Sequence, residues 1–299
     1  MTIADSPFPT PGLPEGRFVE LPSRGTTFVR ELPGPPGAPT LLLLHGWTAN
    51  SALNWFAAYQ PLAGHFRVIA LDHRGHGNGI RNGEQFRLDD VADDAAALLD
   101  VLGVERVVAV GYSMGGPVAQ LLWRRHRERV AGLVLCSTAA RFRDHRGERA
   151  LHGLATGVAA FIRATPPWLD RRLAEKFLVS KYEDTPLGCW AREQARLNDL
   201  RTMVEAGQAV SSFDSRDWIG LIDVPTAVVI TERDKTVLPI RQHALADAID
   251  GSVTFLVNGR HDVCATQPEL FVPALTAACF DVTSRIRDAG PDEAVTATG

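Results

Sequence analysis

The sequence predicts an α/β fold: a mostly parallel, doubly wound sheet with helices on both faces and an inserted helical cap. Three observations predict it. Short runs of β-branched and aliphatic residues alternate with helical patterns along most of the chain. Several runs are continuously apolar, Leu41–Leu44 and Val107–Val110 among them, as strands buried on both faces must be. From about Arg141 to Asp217 the alternation stops and only helical periodicity remains.

The first two strand patterns, near 17–21 and 26–31, are expected to pair antiparallel, and a Pro/Gly-rich turn follows at 33–39. Then come the buried strand 41–44, a helix over 55–63 and a strand at 66–71. The apolar stripe Leu88, Val91, Ala95, Leu98, Leu99 and Leu102, with acids opposite, makes 88–102 an amphipathic helix that Gly103 ends. A strand at 106–110, a helix at 117–126 and a strand at 130–136 complete the first half. After the insertion the pattern resumes as strand 226–230, helix 239–249, strand 253–257 and helix 269–280. The expected division is a core of residues 1–140 and 218–299 and a helical cap of 141–217.

The composition bounds the function. The chain has 299 residues, 45% hydrophobic and 22% charged, enough for one large domain with an insertion. Its net charge of −4 carries no nucleic-acid footprint, and Arg124-Arg125 and Arg171-Arg172 read as solvated helix faces. No run of about 18 apolar residues is present, so no membrane span is expected. The first residues lack the basic and apolar regions of a secretory signal. Cys136, Cys189, Cys264 and Cys279 are scattered, without metal-ligand spacing, which suits reduced thiols and a cytoplasmic location.

The chemistry concentrates at Gly111-Tyr112-Ser113-Met114-Gly115, between the strand 106–110 and the helix 117–126. A strand, a sharp turn and a helix with serine at the apex make a nucleophile elbow. Side chains at the two glycines would collide with neighbouring backbone, and the serine must adopt a strained conformation. A serine hydroxyl needs a base, and the base needs an orienting acid. In α/β sheets such groups gather at the carboxyl ends of strands. His261 follows strand 253–257 and is the candidate base; Asp234 follows strand 226–230 and is the candidate acid, ahead of Glu232, Asp262 and Asp144. An oxyanion hole in this architecture uses the amide after the serine, Met114, and one from the His45-Gly46-Trp47 loop. Trp47 is the expected second donor, with Gly46 and Thr48 as alternatives. Asp72-His73-Arg74-Gly75-His76-Gly77 reads as a hydrogen-bonded turn rather than a metal site, because no further ligands stand at suitable spacing.

Taken in order, LLLLHGW (41–47), VIALDHRGHG (68–77), VVAVGYSMGGPVA (107–119), ITERDKTV (230–237) and NGRHDV (258–263) resemble the α/β-hydrolase superfamily. More narrowly they are similar to its lipase/esterase and enol-lactonase-like branch with a helical cap. The resemblance covers nearly the whole core and implies Ser113 as nucleophile, His261 as base, Asp234 as acid, and Trp47 and Met114 as amide donors. Serine at the elbow argues against the dehalogenase and epoxide-hydrolase relatives, which use aspartate there. Thr231 stands where the family often has glycine, and Asn78-Gly79 where a serine commonly closes the turn; both departures are expected to alter loop shape rather than mechanism.

The expected activity is hydrolysis of a carboxylic ester, thioester or lactone of a partly apolar small molecule, with no cofactor and no metal. The cap would roof the acyl pocket, with Trp168, Phe177, Trp190 and Met203 as candidate substrate contacts, although each could instead dock the cap onto the core. The alternatives are a C–C bond hydrolase, an acyltransferase or a cofactor-free perhydrolase on the same triad, and a non-catalytic small-molecule receptor.

Overall fold

A computed structural model of the chain describes residues 12–143 and 184–288. Its centre is an eight-stranded sheet in the order β1-β2-β4-β3-β5-β6-β7-β8. The strands are β1 (Gly16–Leu21), β2 (Gly25–Leu32), β3 (Thr40–Leu44), β4 (Arg67–Leu71), β5 (Val107–Tyr112), β6 (Val130–Cys136), β7 (Thr226–Thr231) and β8 (Val253–Val257). β2 pairs antiparallel with both β1 and β4, and every other pairing is parallel. The order runs outward in both directions from the neighbouring β3 and β5, so the topological switch point lies between them.

The flanking helices are α1 (Ser51–Trp55), α2 (Tyr59–Ala63), α3 (Leu88–Val101) and α4 (Gly115–Arg125). After the residues outside the description come α5 (Pro186–Arg196), α6 (Leu200–Ser212), α7 (Pro239–Asp247), α8 (Val263–Thr266) and α9 (Pro268–Asp288). Strand alternation divides the core. Leu42, Leu44 and Ala109 point into the cluster under α3 and α4 with Val91, Leu98, Val118 and Leu122. Leu41, Leu43, Val108 and Val110 point the other way, onto Tyr59 and Leu62 of α2 and Phe271 and Leu275 of α9. A sheet covered on both sides needs apolar residues at both parities, which is why these strands read as unbroken apolar runs.

Element boundaries follow local chemistry. The helix expected over 55–63 is two short helices, and the first starts earlier because the Asn50 side chain caps it by accepting from the Leu53 amide at 2.8 Å. Gly103 stops α3 with φ of +61°. The last helix continues past 280 to Asp288, burying Val282 and Thr283. The two ends of the expected insertion meet: Arg141 and Asp214 form an antiparallel bridge, and the Ser215 amide donates to the Ala140 carbonyl at 2.9 Å. Between those points α5 packs Trp190 and Ala191 against Ala52 and Leu53.

Candidate active site

Ser113 stands at the carboxyl end of β5, beside the switch point. Its φ is +52°, a region that L-residues avoid. The turn that enforces this φ has no room for side chains. A Cβ on Gly111 would lie 2.2 Å from the Gly115 carbonyl oxygen, and one on Gly115 would lie 2.0 Å from that of Leu44. The backbone of Ser113 is held on both sides: its amide donates to the Cys136 carbonyl at 2.9 Å, and the Thr138 hydroxyl donates to its carbonyl at 2.8 Å.

The structure brings His261 and Asp234 to this serine. His261 Nε2 is 2.9 Å from Ser113 Oγ, and its Nδ1 is 2.6 Å from Asp234 Oδ2. An ionised carboxylate can only accept, so the ring proton is assigned to Nδ1. The Nε2 lone pair then faces the serine hydroxyl. Asp234 is buried, and burial pushes its carboxyl up. The His261 hydrogen bond and charge, with the Val237 and Thr236 amides on Oδ1, outweigh burial and hold the pKa below the usual carboxylate range.

Met114 follows the same serine in sequence, and Trp47 follows Gly46 in the loop beside it. Met114 caps α4 at its amino end, where main-chain amides lack helical partners. The loop 45–47 lies against Ser113, since a Cβ on Gly46 would be 3.3 Å from that of the serine. Gly46 donates its amide to Asn54 Oδ1 at 2.8 Å, which commits it elsewhere. Ala49 closes a turn onto the Gly46 carbonyl at 3.4 Å, with Thr48 at φ of +60°.

The imidazole of His45 fixes the root of that loop. Nδ1–H donates to the Gly46 carbonyl at 2.8 Å, and Nε2 accepts the His73 amide at 2.9 Å. Burial lowers its pKa to about 4, so the ring is neutral. The segment after β4 is the hydrogen-bonded turn its sequence suggests: Asp72 accepts from Ser51 and from the Asn78 amide, and Gly75 bonds back to Ile80.

Of the candidate cap contacts, Trp168 and Phe177 lie outside the described residues, as does Asp144. Trp190 is only 1% exposed, with its ring edge-on to Phe56 at 5.5 Å. Met203 is 2% exposed, and its carbonyl accepts from the Trp47 indole at 2.8 Å. The Trp190 ring packs against Phe56, Ala52 and Leu53, and Met203 meets Trp47 through its main chain.

Residues 39–268 match the family model for the alpha/beta hydrolase fold. The chain belongs to that family. It is 29% identical over 253 residues to the putative carbamate hydrolase RutD of Azorhizobium caulinodans, covering 82% of this chain and 93% of that one. A crystal structure of a hydrolase from Pseudomonas aeruginosa superposes with a TM-score of 0.75 at 22% identity, over 89% of this chain and 98% of that chain. The enol-lactonase from Burkholderia xenovorans superposes at 0.72 and 22% identity, over 88% and 100%. Hydrolase activity is the common ground of the family and the RutD relative.

Three residues of this hydrolase join the site without having been singled out for it. Thr231 donates its hydroxyl to Asp234 Oδ2 at 2.9 Å. Gln242, on α7, donates to the same oxygen at 3.2 Å and accepts the Thr231 amide at 3.0 Å. Tyr112 donates its hydroxyl to the His261 carbonyl at 2.6 Å, tying the histidine loop to β5. The position of Thr231 beside a candidate acid was a visible signal; Gln242 and Tyr112 gave none, since their partners are set by tertiary packing.

Proposed function

We propose that the protein is a serine hydrolase that cleaves a carboxylic ester, thioester or lactone of a partly apolar small molecule through an acyl-enzyme. The observation that carries this reading is the continuous hydrogen-bonded chain from Asp234 through His261 to the strained Ser113. In it, Ser113 Oγ attacks the carbonyl carbon while His261 Nε2 takes the hydroxyl proton. Asp234 remains ionised and holds the imidazolium. The tetrahedral oxyanion rests on the Met114 and Trp47 amides, each contributing on the order of 3 kcal/mol to the transition state. His261 then protonates the leaving group, and water activated by the same ring releases the acid.

The segment 141–217, helical in its sequence pattern, would form the cap over this site, with residues 1–140 and 218–299 as the core. The bridge at Arg141 and Asp214 supports that division. Free thiols at Cys136, Cys264 and Cys279, all buried, suit a cytoplasmic setting. The RutD relative makes carbamates a second carbonyl class worth assay, because the same attack on a carboxyl-derived carbon would cleave them.

A fluorophosphonate probe is expected to label the wild type and not Ser113→Ala. Turnover of p-nitrophenyl esters should fall at least about 10³-fold in Ser113→Ala and in His261→Gln. Undiminished labelling or turnover in the alanine variant would refute the assignment.

A further inference from the structure

We propose that Asn198 is a positioning residue for the oxyanion loop, so that docking of the helical insertion and placement of the Trp47 amide are one event. The inference rests on Trp47 as an oxyanion donor. Asn198 lies in the turn between α5 and α6, and its side chain is almost wholly buried. Its Nδ2 donates to the Thr48 carbonyl at 3.0 Å, and its Oδ1 accepts the Gly77 amide at 2.8 Å. The orientation is forced. A flipped amide would set NH₂ against the Gly77 N–H and oxygen against the Thr48 carbonyl.

One end of this bridge is rigid. A Cβ on Gly77 would lie 2.2 Å from Asp72 Oδ2, so the loop around it has no slack. Asp72 in turn holds Ser51 and Asn78. The other end is strained. Thr48 is β-branched and sits at φ of +60°, a conformation that persists only where its surroundings hold it. Asn198 grips the carbonyl of that residue.

Trp47 is held by the same insertion. Its indole nitrogen donates to the Met203 carbonyl in α6 at 2.8 Å. Its ring lies so close to the same helix that a Cβ on Gly207 would meet it at 2.8 Å. The residue before Trp47 is fixed from the core, through Asn54. The residue after it is fixed from the insertion, through Asn198. The Trp47 amide lies between these anchors, in the peptide whose Gly46 carbonyl accepts from His45 Nδ1–H and the Ala49 amide, and Asn198 holds that turn at its Thr48 end. Asn198 itself does not touch the reacting atoms; it acts through Thr48.

The test uses the full chain with three variants. Asn198→Asp keeps an acceptor for Gly77 and sets a carboxylate oxygen against the Thr48 carbonyl. Asn198→Leu removes both bonds. Gln194→Leu removes a different tie between insertion and core, the one from Asn50 at 3.0 Å, and is the control for loosened docking. For p-nitrophenyl ester hydrolysis, kcat should fall about 10- to 100-fold in both Asn198 variants with KM within about twofold. Inhibition by an alkyl trifluoromethyl ketone, which adds Ser113 Oγ and places an oxyanion in the hole, should weaken by a similar factor. Gln194→Leu should lower thermal stability and leave kcat unchanged. The proposal is overturned if Asn198→Asp keeps both kcat and ketone affinity, or if Gln194→Leu reproduces its losses. A wild type that neither labels with fluorophosphonate at Ser113 nor turns over esters would instead overturn the esterase reading beneath it.

Discussion

The hydroxyl of Thr231 shares Asp234 Oδ2 with the His261 ring. Each donor on that oxygen helps hold the carboxylate in place beneath the imidazole. Thr231→Val removes one donor and leaves that carboxylate less firmly held. Ester kcat/KM at pH 7 should therefore fall about 3- to 10-fold, the scale of one modest hydrogen bond. Steady-state kinetics check it; an unchanged kcat/KM would mean Thr231 only packs. Read along the chain, Thr231 in place of a glycine suggested altered loop shape. Its role was hidden because Gln242, the residue that orients it, sits 11 positions on and on another element. Ser113, His261 and Asp234 were legible for the opposite reason: each stands directly after a strand, and strand ends are readable from apolar runs. A backbone prediction belongs here too. Gly115→Ala forces a Cβ to within 2.0 Å of the Leu44 carbonyl. It should destabilise the fold by more than about 2 kcal/mol in urea titrations.

Among the elements, strands were legible to within a residue or two because the inner strands of this sheet are buried on both faces and their apolar runs have sharp ends. Helices that rest on one another were less so. The insertion reads as helical, yet nothing local says that Trp190 goes into docking. Its ring fits between α5 and α1, against Phe56, Ala52 and Leu53, and only the tertiary arrangement of those three shows it. Trp190→Ala is thus an element-level change. It should weaken the docking of α5 by about 3 kcal/mol while leaving the sheet cores intact. Limited trypsin digestion checks this. Cleavage at Arg192, Arg196 or Arg201 should accelerate well before the core strands are cut. Loss of the whole domain at the same rate would show instead that insertion and core unfold together.

For the molecule as a whole, the buried histidines set a pH limit. His45, His73 and His76 form one cluster, with ring centroids 3.9 Å apart for the first pair and 5.2 Å for His45 and His76. Burial lowers all three. In His73 and His76 the positive charge of neighbouring rings adds to it, and His45 stands at about 4. Above pH 6.5 both folded and unfolded chains carry these rings neutral and stability does not depend on them. As pH falls from 6.5 towards 4, the unfolded chain binds protons that the folded chain refuses. Each histidine then subtracts ~1.4 kcal/mol per pH unit. Asp72 works in the opposite direction, because burial raises its carboxyl and protonation relieves the folded state. Asp234, held low, loses its contribution as pH falls through the ordinary carboxylate value towards its own lower one, which adds to the fall at the acid end. Three histidines against one carboxylate give a net fall. Unfolding free energies from urea titrations at pH 7, 6, 5 and 4.5 should thus decline steadily below pH 6.5. The same protonation would set an N–H on His45 Nε2 against the His73 amide, so the loop 45–47 beside Ser113 should give way with the fold rather than after it. Activity and stability should then fail over the same pH interval, and a stability curve flat from pH 6.5 to 5 would refute the account.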